Sequence, residues 1–171
     1  FTNNGGVTWT LAPTTNVGST HMYGVSMSDA SNGVAVEASG QIVFTTNGGV
    51  TWTDATTTNV DSTVMWAVSM SDASNGVAVG ASGTIVFTTN GGVTWTDATT
   101  TNVGSTHMYG VSMIDASNGV AVGYSGQIVF LGTVSSEEVK KSHDCYDCEA
   151  PKLTKVEVHI TSQNSDTQRI S

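Results

Sequence analysis

The chain has 171 residues, of which 38% are hydrophobic and only 11% are charged. Its formal net charge is -9, and its five basic residues all lie between positions 140 and 169. This distribution argues against nucleic acid and anionic membrane as partners, because both are bound by clustered Lys and Arg, and no stretch is apolar enough to insert directly into a membrane.

A period of 43 residues runs through the first three quarters of the chain. The recurring positions include Phe1, Phe44, Phe87 and Phe130, and likewise Trp9, Trp52 and Trp95. A fixed period in the forties indicates a repeat architecture in which each copy forms one structural unit. Between these positions the chain is rich in Thr, Ser, Asn and Gly, which is typical of an all-β protein with tight turns.

Each period is predicted to contain four short antiparallel strands. In the first complete copy these strands fall at 21–27, 33–37, 41–45 and 50–53. Asn-Gly pairs at 32–33 and 47–48 predict hairpin turns in which glycine takes a positive φ, and the aspartate of each DASNG turn is predicted to cap it. Met22, Met65 and Met108 recur with the period and are predicted to be core. Four such strands per copy predict a β-propeller blade, with stacked β-repeats or a sandwich as alternatives.

The stretch FTTNGGVTWT contains the pattern Ser/Thr-x-Asp/Asn-x-Gly-x-x-Trp. The matching residues in its three copies are Thr2, Asn4, Gly6, Trp9, Thr45, Asn47, Gly49, Trp52, Thr88, Asn90, Gly92 and Trp95. This pattern resembles the Asp-box, or bacterial neuraminidase repeat. The hydroxyl and amide would bond backbone groups of a hairpin, Gly would take a conformation that other residues avoid, and Trp would fill a gap to a neighbouring hairpin. The resemblance implies a structural turn on the outer part of a blade, away from any ligand site.

The whole repeat, YGVSMSDASNGVAVGASGxIVFTTNGGVTW, is similar to the blades of the photosystem II stability/assembly factor family. The similarity covers residues 1–130 and implies a propeller that docks on a membrane complex through basic surface residues. Residues 1–130 contain no Lys and no Arg. Blades of this kind also occur in bacterial secreted and surface proteins.

Residues 1–131 are predicted to form about three propeller blades. Residues 22–53 and 65–96 supply two complete blades, 108–131 supply three strands and 1–10 supply the end of another. Because closed propellers typically have about four to eight blades, we expect an incomplete ring. We interpret the chain as a fragment of a longer protein, with two chains completing a six-bladed ring as the alternative, and we expect open blade edges to favour self-association.

After Leu131 the repeat stops and the composition changes. Residues 132–151 are predicted to be a linker that contains the Cys-x-x-Cys motif of Cys145 and Cys148. Three states stay open for this pair: a structural disulfide, two reduced thiols, and half of a metal site with further ligands elsewhere. The alternating segment KLTKVEVHITSQ within residues 152–171 predicts a strand, at the start of a following β domain or tail.

The copies differ mainly in the links between blades and in the turns between their second and third strands. Both sets of loops lie on the same face of a propeller, which we call the variable-loop face. The candidate binding residues on it are Glu37, Gln41, Asp61, Trp66, Tyr109, Tyr124 and Gln127, with His21, Tyr23 and His107 at the start of the inner strands. Aromatic rings beside amides and carboxylates suit a glycan or a peptide. The alternative is that these are drifting surface positions and packed strand residues.

The sequence contains no convincing catalytic set. A sialidase binds the substrate carboxylate with an arginine cluster, and the only arginine in this sequence is Arg169. Glu37 and Asp61 are the only carboxylates on the variable-loop face that could form the acid pair of a glycosidase. His21 and His107 are too few for a metal site, which needs about three or four ligands. We therefore predict that the chain is not an enzyme and carries no cofactor and no metal.

Together these features predict a non-catalytic binding or display module of a larger secreted or cell-surface protein. It would contact glycan or protein through the variable-loop face. One alternative is an assembly-factor-like propeller that docks on a photosystem-type membrane complex, and another is a sialidase-like glycoside hydrolase fragment. The low charge and the Thr-, Ser- and Asn-rich composition predict an extracellular or cell-surface location.

Overall fold

In the computed structural model, the described residues are 1–12, 21–58, 60, 62–100 and 103–132, with the backbone of 156–159. These residues form three β-sheets. Each sheet is built mainly from one copy of the repeat, and we call them blades 1, 2 and 3. Among the described residues, no helix is long and apolar enough to cross a membrane.

The strands follow the repeat from one copy to the next. Blade 1 contains β1 (Met22–Met27), β2 (Gly33–Glu37), β3 (Ile42–Thr45) and β4 (Thr53–Asp54). Blade 2 contains β5 (Thr56–Thr57), β6 (Met65–Met70), β7 (Gly76–Gly80), β8 (Ile85–Thr88) and β9 (Thr94–Asp97). Blade 3 contains β10 (Thr99–Thr100), β11 (Met108–Met113), β12 (Gly119–Gly123), β13 (Ile128–Leu131) and β14 (Val156–His159). In every blade the first three long strands form an antiparallel meander, as predicted.

Adjacent blades pack face to face through two apolar cores. The core between blades 1 and 2 includes Val34, Val36, Ile42, Met65, Val68, Ala78, Val86 and Trp95. The core between blades 2 and 3 uses equivalent positions one period later, among them Val77, Val79, Ile85, Met108, Ala121 and Val129. The second strand of blade 2, which has a neighbouring blade on each side, is therefore buried on both faces, and this explains why GVAV reads as a continuous apolar run.

The FTTNGGVTWT turns are closed by their own side chains. The N–H of Gly49 donates to Thr45 Oγ1 at 3.0 Å, and the N–H of Thr51 donates to Asn47 Oδ1 at 2.9 Å. The same bonds recur one period later. Gly48 has a φ of 71°, as predicted for the Asn-Gly pair at 47–48. The fourth strand, predicted at 50–53, forms in blade 1 only at Thr53–Asp54. In blade 2 the equivalent strand begins at Thr94, where it also pairs with β5.

The prediction for the Asn-Gly pair at 32–33 is wrong. Gly33 begins strand β2 and is not among the residues with positive φ. Its missing side chain serves packing instead, because a Cβ at this position would lie 2.3 Å from the sulfur of Met27. The same close approach of a methionine sulfur occurs at Gly76 and Gly119.

The prediction that Met22 belongs to the core is also wrong. Met65 and Met108 are fully buried between blades, whereas the Met22 side chain is 44% exposed. The physical reason is that no described blade packs on that side of blade 1.

The outermost positions of blades 2 and 3 hold short extra strands. Strand β5 lies in the link between blades 1 and 2 and pairs in parallel with β9. The strand predicted in the tail is present at Val156–His159, where it pairs in parallel with β13 and antiparallel with β10. In blade 3 this strand therefore occupies the position next to β13, which corresponds to the position of β9 next to β8 in blade 2. The rest of the segments 132–151 and 152–171 lies almost entirely outside the described residues, as do Cys145 and Cys148, so their predicted roles stay predictions.

Each DASNG turn is held by its aspartate. In blade 2, Asp72 Oδ1 accepts hydrogen bonds from the N–H groups of Ser74 at 2.7 Å and Asn75 at 2.8 Å. The side-chain amide of Asn75 contributes most to lowering the pKa of Asp72 below its ordinary value of 3.8, followed by these backbone bonds. The pKa values of Asp29 and Asp115 are lowered for the same main reason.

Lowering the pH is expected to remove this stabilisation. Because the pKa of Asp72 is lower in the folded chain than in the unfolded chain, its contribution is complete above about pH 5. It begins to fall near 3.8 and is lost as the pH falls through the lower pKa of the folded chain. The difference in free energy of unfolding between wild type and Asp72→Asn should therefore be constant above about pH 5 and shrink below it. Urea denaturation at several pH values measures this difference. A difference that stays unchanged down to about pH 2 would show that the charge of the carboxylate contributes nothing.

Candidate binding site

The inner strands β1, β6 and β11 each begin with a β-bulge. In blade 1 the pairing with β2 shifts between Met22 and Gly24, so that Tyr23 has no partner residue in the ladder. The same shift leaves out Trp66 in blade 2 and Tyr109 in blade 3. A bulge re-aims the side chain of the extra residue. Each blade therefore presents one large aromatic side chain at the same end of its inner strand.

These three side chains form a continuous row, which we call the aromatic row. The ring centroids of Tyr23 and Trp66 are 4.7 Å apart with the planes tilted by 43°, and those of Trp66 and Tyr109 are 5.9 Å apart at 67°. Tilted and edge-to-face contacts of this kind are favoured between aromatic rings. His21 and His107 extend the row at its two ends, with centroid distances of 6.5 Å and 6.3 Å to the tyrosines. The two tyrosines are about half exposed.

Contacts between the inner strands keep the spacing of the row. A Cβ on Gly24 would lie 3.2 Å from the Cα of Ala67, so only a small residue allows the two strands to approach this closely. The hydroxyl of Ser26 accepts a hydrogen bond from the N–H of Met70 in the next blade at 2.9 Å, and the same bond recurs one period later. The row is therefore built on rigid, directly bonded strands.

The two kinds of variable loop meet beside the row. The N–H of Ser62, in the link to blade 2, donates to the carbonyl oxygen of Ser39 at 3.0 Å. In blade 2, the N–H of Ser82 donates to Nδ1 of His107 at 3.1 Å. The structure thus places the interblade links and the turns between second and third strands on one face, next to the aromatic row.

Two of the predicted binding residues are engaged within blade 1. Glu37 is buried, and its carboxylate accepts a hydrogen bond from the hydroxyl of Ser39. The side-chain amide of Gln41 donates to Asp54 Oδ1 at 2.7 Å. The first contact lies within the turn after β2 and the second joins that turn to the end of β4, so both side chains have structural partners.

The other predicted residues are spread over the face. Trp66 and Tyr109 lie in the aromatic row. Tyr124 is exposed in the turn after β12 and, within the described part of the chain, makes no ring contact with the row. The amide of Gln127 donates to the carbonyl of Val103 at 3.4 Å. Asp61 lies outside the described residues. The structure therefore brings Tyr23, Trp66 and Tyr109 together, while Tyr124 stays outside the row.

The centre of the row contains a buried hydrogen-bond donor. The indole N–H of Trp66 is buried and has no acceptor among the described residues. Leaving such a donor unpaired costs about 1–3 kcal/mol. Within the described ranges, no group of three or more His, Cys, Asp or Glu side chains could hold a metal ion.

A concave surface that the sequence does not predict lies on the side of blade 1 that no described blade covers. It is a cavity of about 350 Å³, lined by Met22, Tyr23, Gly24, Val25, Ala35, Val43 and Trp52. The sequence carries no signal for it, because the same positions one period later are packed against a neighbouring blade.

Comparison with known proteins supports the fold. A scan against models of protein families found no match, and neither did a search of the curated proteins. A solved structure described as "YCF48 bound to D1 peptide" has a TM-score of 0.59 at 21% identity, covering 68% of this chain and 37% of the other. One described as "YCF48 from Cyanidioschyzon merolae" has a TM-score of 0.56 at 19% identity, covering 66% and 34%. The chain thus spans about a third of the length of these neighbours, and the likeness shows the β-propeller fold.

Proposed function

We propose that this chain is part of a non-catalytic binding module that holds an extended segment of a partner protein across the aromatic row. The observation that carries the proposal is the row itself, in which Tyr23, Trp66 and Tyr109 lie side by side, one from each blade. Tyr and Trp are enriched where proteins bind partners, because each buries a large area and loses little conformational freedom.

The partner segment that we propose is neutral or basic. Residues 1–132 contain no Lys and no Arg, so nothing in them would neutralise an acidic segment. The faces of Tyr and Trp rings attract the cationic groups of Lys and Arg. Asp54 and Asp97 are exposed at the ends of β4 and β9 and add negative charge.

The solved neighbours support a protein as the partner. One of them is described as bound to a D1 peptide, which is a property of that protein. Because this chain shares the propeller fold, we propose the same general mode, with an assembly-factor role at a membrane complex as its more specific form. In this proposal the three FTTNGGVTWT-type turns belong to the Asp-box class, supported by the hydrogen bonds of Gly49 and Thr51.

An extracellular or cell-surface location is the second element of the proposal. It is supported by composition alone, through the 11% of charged residues and the many Thr, Ser and Asn side chains. Recognition of glycans in that setting is the competing form of the proposal, since exposed aromatic rings also suit sugars.

Peptide binding can be tested with two labelled 12-residue peptides, one alternating Leu with Lys and the other alternating Leu with Glu. Fluorescence anisotropy is expected to show roughly micromolar binding of the Lys peptide and no binding of the Glu peptide. Tyr109→Ala should weaken binding by about tenfold or more, because it removes one anchor of the row.

Tyr124→Ala provides the matched control, since Tyr124 is an exposed tyrosine on the same face but outside the row. It should leave the affinity within about twofold of wild type. Equal losses in the two variants, or tighter binding of the Glu peptide, would contradict the proposal. If neither peptide bound and the chain bound a glycan array in a manner that depends on Tyr109, the partner would be a glycan and not a protein.

A further inference from the structure

The blades at the two ends of the structure each present an apolar face that no described blade covers. On blade 1 this surface, which we call the Met–Trp face, consists of Met22, Val25 and Trp52 together with Ala35 and Val43, whose own side chains are buried. On blade 3 the surface that we call the Val–Phe face consists of Val120, Val122, Ile128 and Phe130. The side chain of Val25 is 64% exposed and that of Val122 is 45% exposed.

These two faces are equivalent, by position in the repeat, to the two surfaces that pack against each other between adjacent blades. Between blades 1 and 2, side chains of one blade (Val34, Val36, Ile42) pack against side chains of the next (Met65, Val68, Ala78, Val86, Trp95). Every residue of the Met–Trp face lies one period before a member of the second group. The valines and the isoleucine of the Val–Phe face lie two periods after members of the first. The uncovered faces therefore carry the same complementary side chains as the buried interfaces.

We propose that two copies of this chain associate head to tail, with the Val–Phe face of each copy packed on the Met–Trp face of the other. The contact joins two different surface patches, and such contacts form closed rings when the rotation allows it. A pair in which both contacts form has six blades, which lies within the range of about four to eight for closed propellers.

Polar contacts of the inner strands fit the same arrangement. The hydroxyl of Ser26 in blade 1 accepts a hydrogen bond from the N–H of Met70 in blade 2, and the equivalent bond joins blades 2 and 3. Ser112 on blade 3 and Met27 on blade 1 are the end members of these two series. Head-to-tail association would let the hydroxyl of Ser112 in one copy accept a hydrogen bond from the N–H of Met27 in the other, so that this series of bonds would continue across the two copies.

The aromatic row would also continue across the contact. Tyr109 lies at the blade 3 end of the row and Tyr23 at the blade 1 end. In the closed pair, Tyr109 of one copy would lie beside Tyr23 of the other. The two rows would then form one circle around the central axis.

The N-terminal hairpin competes for part of the Met–Trp face. The Cβ of Phe1 lies 3.7 Å from the position of a Cβ on Gly49, which is the place that Phe130 would take in the head-to-tail contact. Phe1 is half-buried there, whereas Trp9 of the same hairpin is mostly exposed. The Val–Phe face offers four apolar side chains to this surface, and stabilisation grows with the apolar area buried. We therefore expect the hairpin to be displaced when the copies associate.

The test measures the mass of the full chain by light scattering over a concentration series, without added peptide. The wild type is expected to give twice the mass of one chain. Val25→Glu and Val122→Glu place a charge in different faces at exposed positions, and each variant alone should give single chains. An equimolar mixture of the two should again give a pair, because it retains one intact Met–Trp face and one intact Val–Phe face.

Ile114→Glu is the matched control, since Ile114 is an exposed apolar residue that belongs to neither face. It should form pairs as the wild type does. A chain that lacks residues 1–10 should form pairs at lower concentration, because the competing hairpin is gone. Single wild-type chains at every concentration, association that survives both substitutions, or a ladder of masses above the pair would each overturn the proposal. None of these results bears on peptide binding, which is measured separately.

Discussion

Replacing Trp95 with alanine is expected to lower the free energy of unfolding by about 3–5 kcal/mol. Its side chain is 1% exposed and belongs to the core between blades 1 and 2. Its indole N–H donates to the carbonyl oxygen of Gly92 at 3.0 Å. The substitution therefore leaves a large cavity between the blades and also removes a buried hydrogen bond. Urea denaturation followed by far-UV circular dichroism measures the change.

The repeat provides a matched control for this prediction. Trp9 occupies the same position of the FTTNGGVTWT-type turn, but its side chain is 73% exposed. Trp9→Ala should change the free energy of unfolding by no more than about 0.5 kcal/mol, as is usual for surface substitutions. Both variants are compared at a concentration at which the chain is monomeric. Losses of equal size would show that burial between blades is not what makes Trp95 important.

Replacing Gly83 with alanine is expected to destabilise the chain by about 2–5 kcal/mol. The residue has a φ of 78°, a conformation that costs other residues roughly 1–2 kcal/mol. A Cβ here would also lie 2.0 Å from the carbonyl oxygen of Gly104. This oxygen belongs to the backbone, so the link between blades 2 and 3 would have to move, and such overpacking costs about 1–3 kcal/mol.

Replacing Gly126 with alanine separates the conformational cost of a positive φ from the cost of the backbone contact. It ends the equivalent turn of blade 3 with a φ of 73°, and a Cβ at this position would meet no atom within 4 Å in the described structure. Gly126→Ala should therefore show only the conformational cost, about 1–2 kcal/mol in the same urea experiment. If the two alanine variants were equally unstable, the contact with Gly104 would play no part.

Much of the fold can be predicted from the sequence because its determinants are local. The regular spacing of Phe44 and Phe87 identifies the repeat, and alternation and turn residues identify three of the four strands in each copy. The same local reasoning failed at Gly33, where the absence of a side chain serves the packing of Met27 and not a turn. It also missed β5, because a two-residue strand acquires its hydrogen bonds only from the neighbouring β9.

The candidate site was predicted only in part. Sequence differences between the copies located the face and named Trp66 and Tyr109, and the start of the inner strand added Tyr23. They could not predict the ring distances, because these depend on how closely the inner strands of adjacent blades approach. They also included Glu37, whose burial depends on the shape of the turn that follows it.

The sequence by itself determined the 43-residue period, the strand and turn positions within it, and the set of apolar side chains that each copy contributes. Only the tertiary structure decided which of these equivalent side chains are covered. Met22 and Met108 lie in the same sequence, HMYG, yet the side chain of Met22 is 44% exposed and that of Met108 is fully buried. The physical reason is that burial in this fold comes from the neighbouring blade, about one period away along the chain, and a local sequence pattern carries no information about whether that neighbour is present.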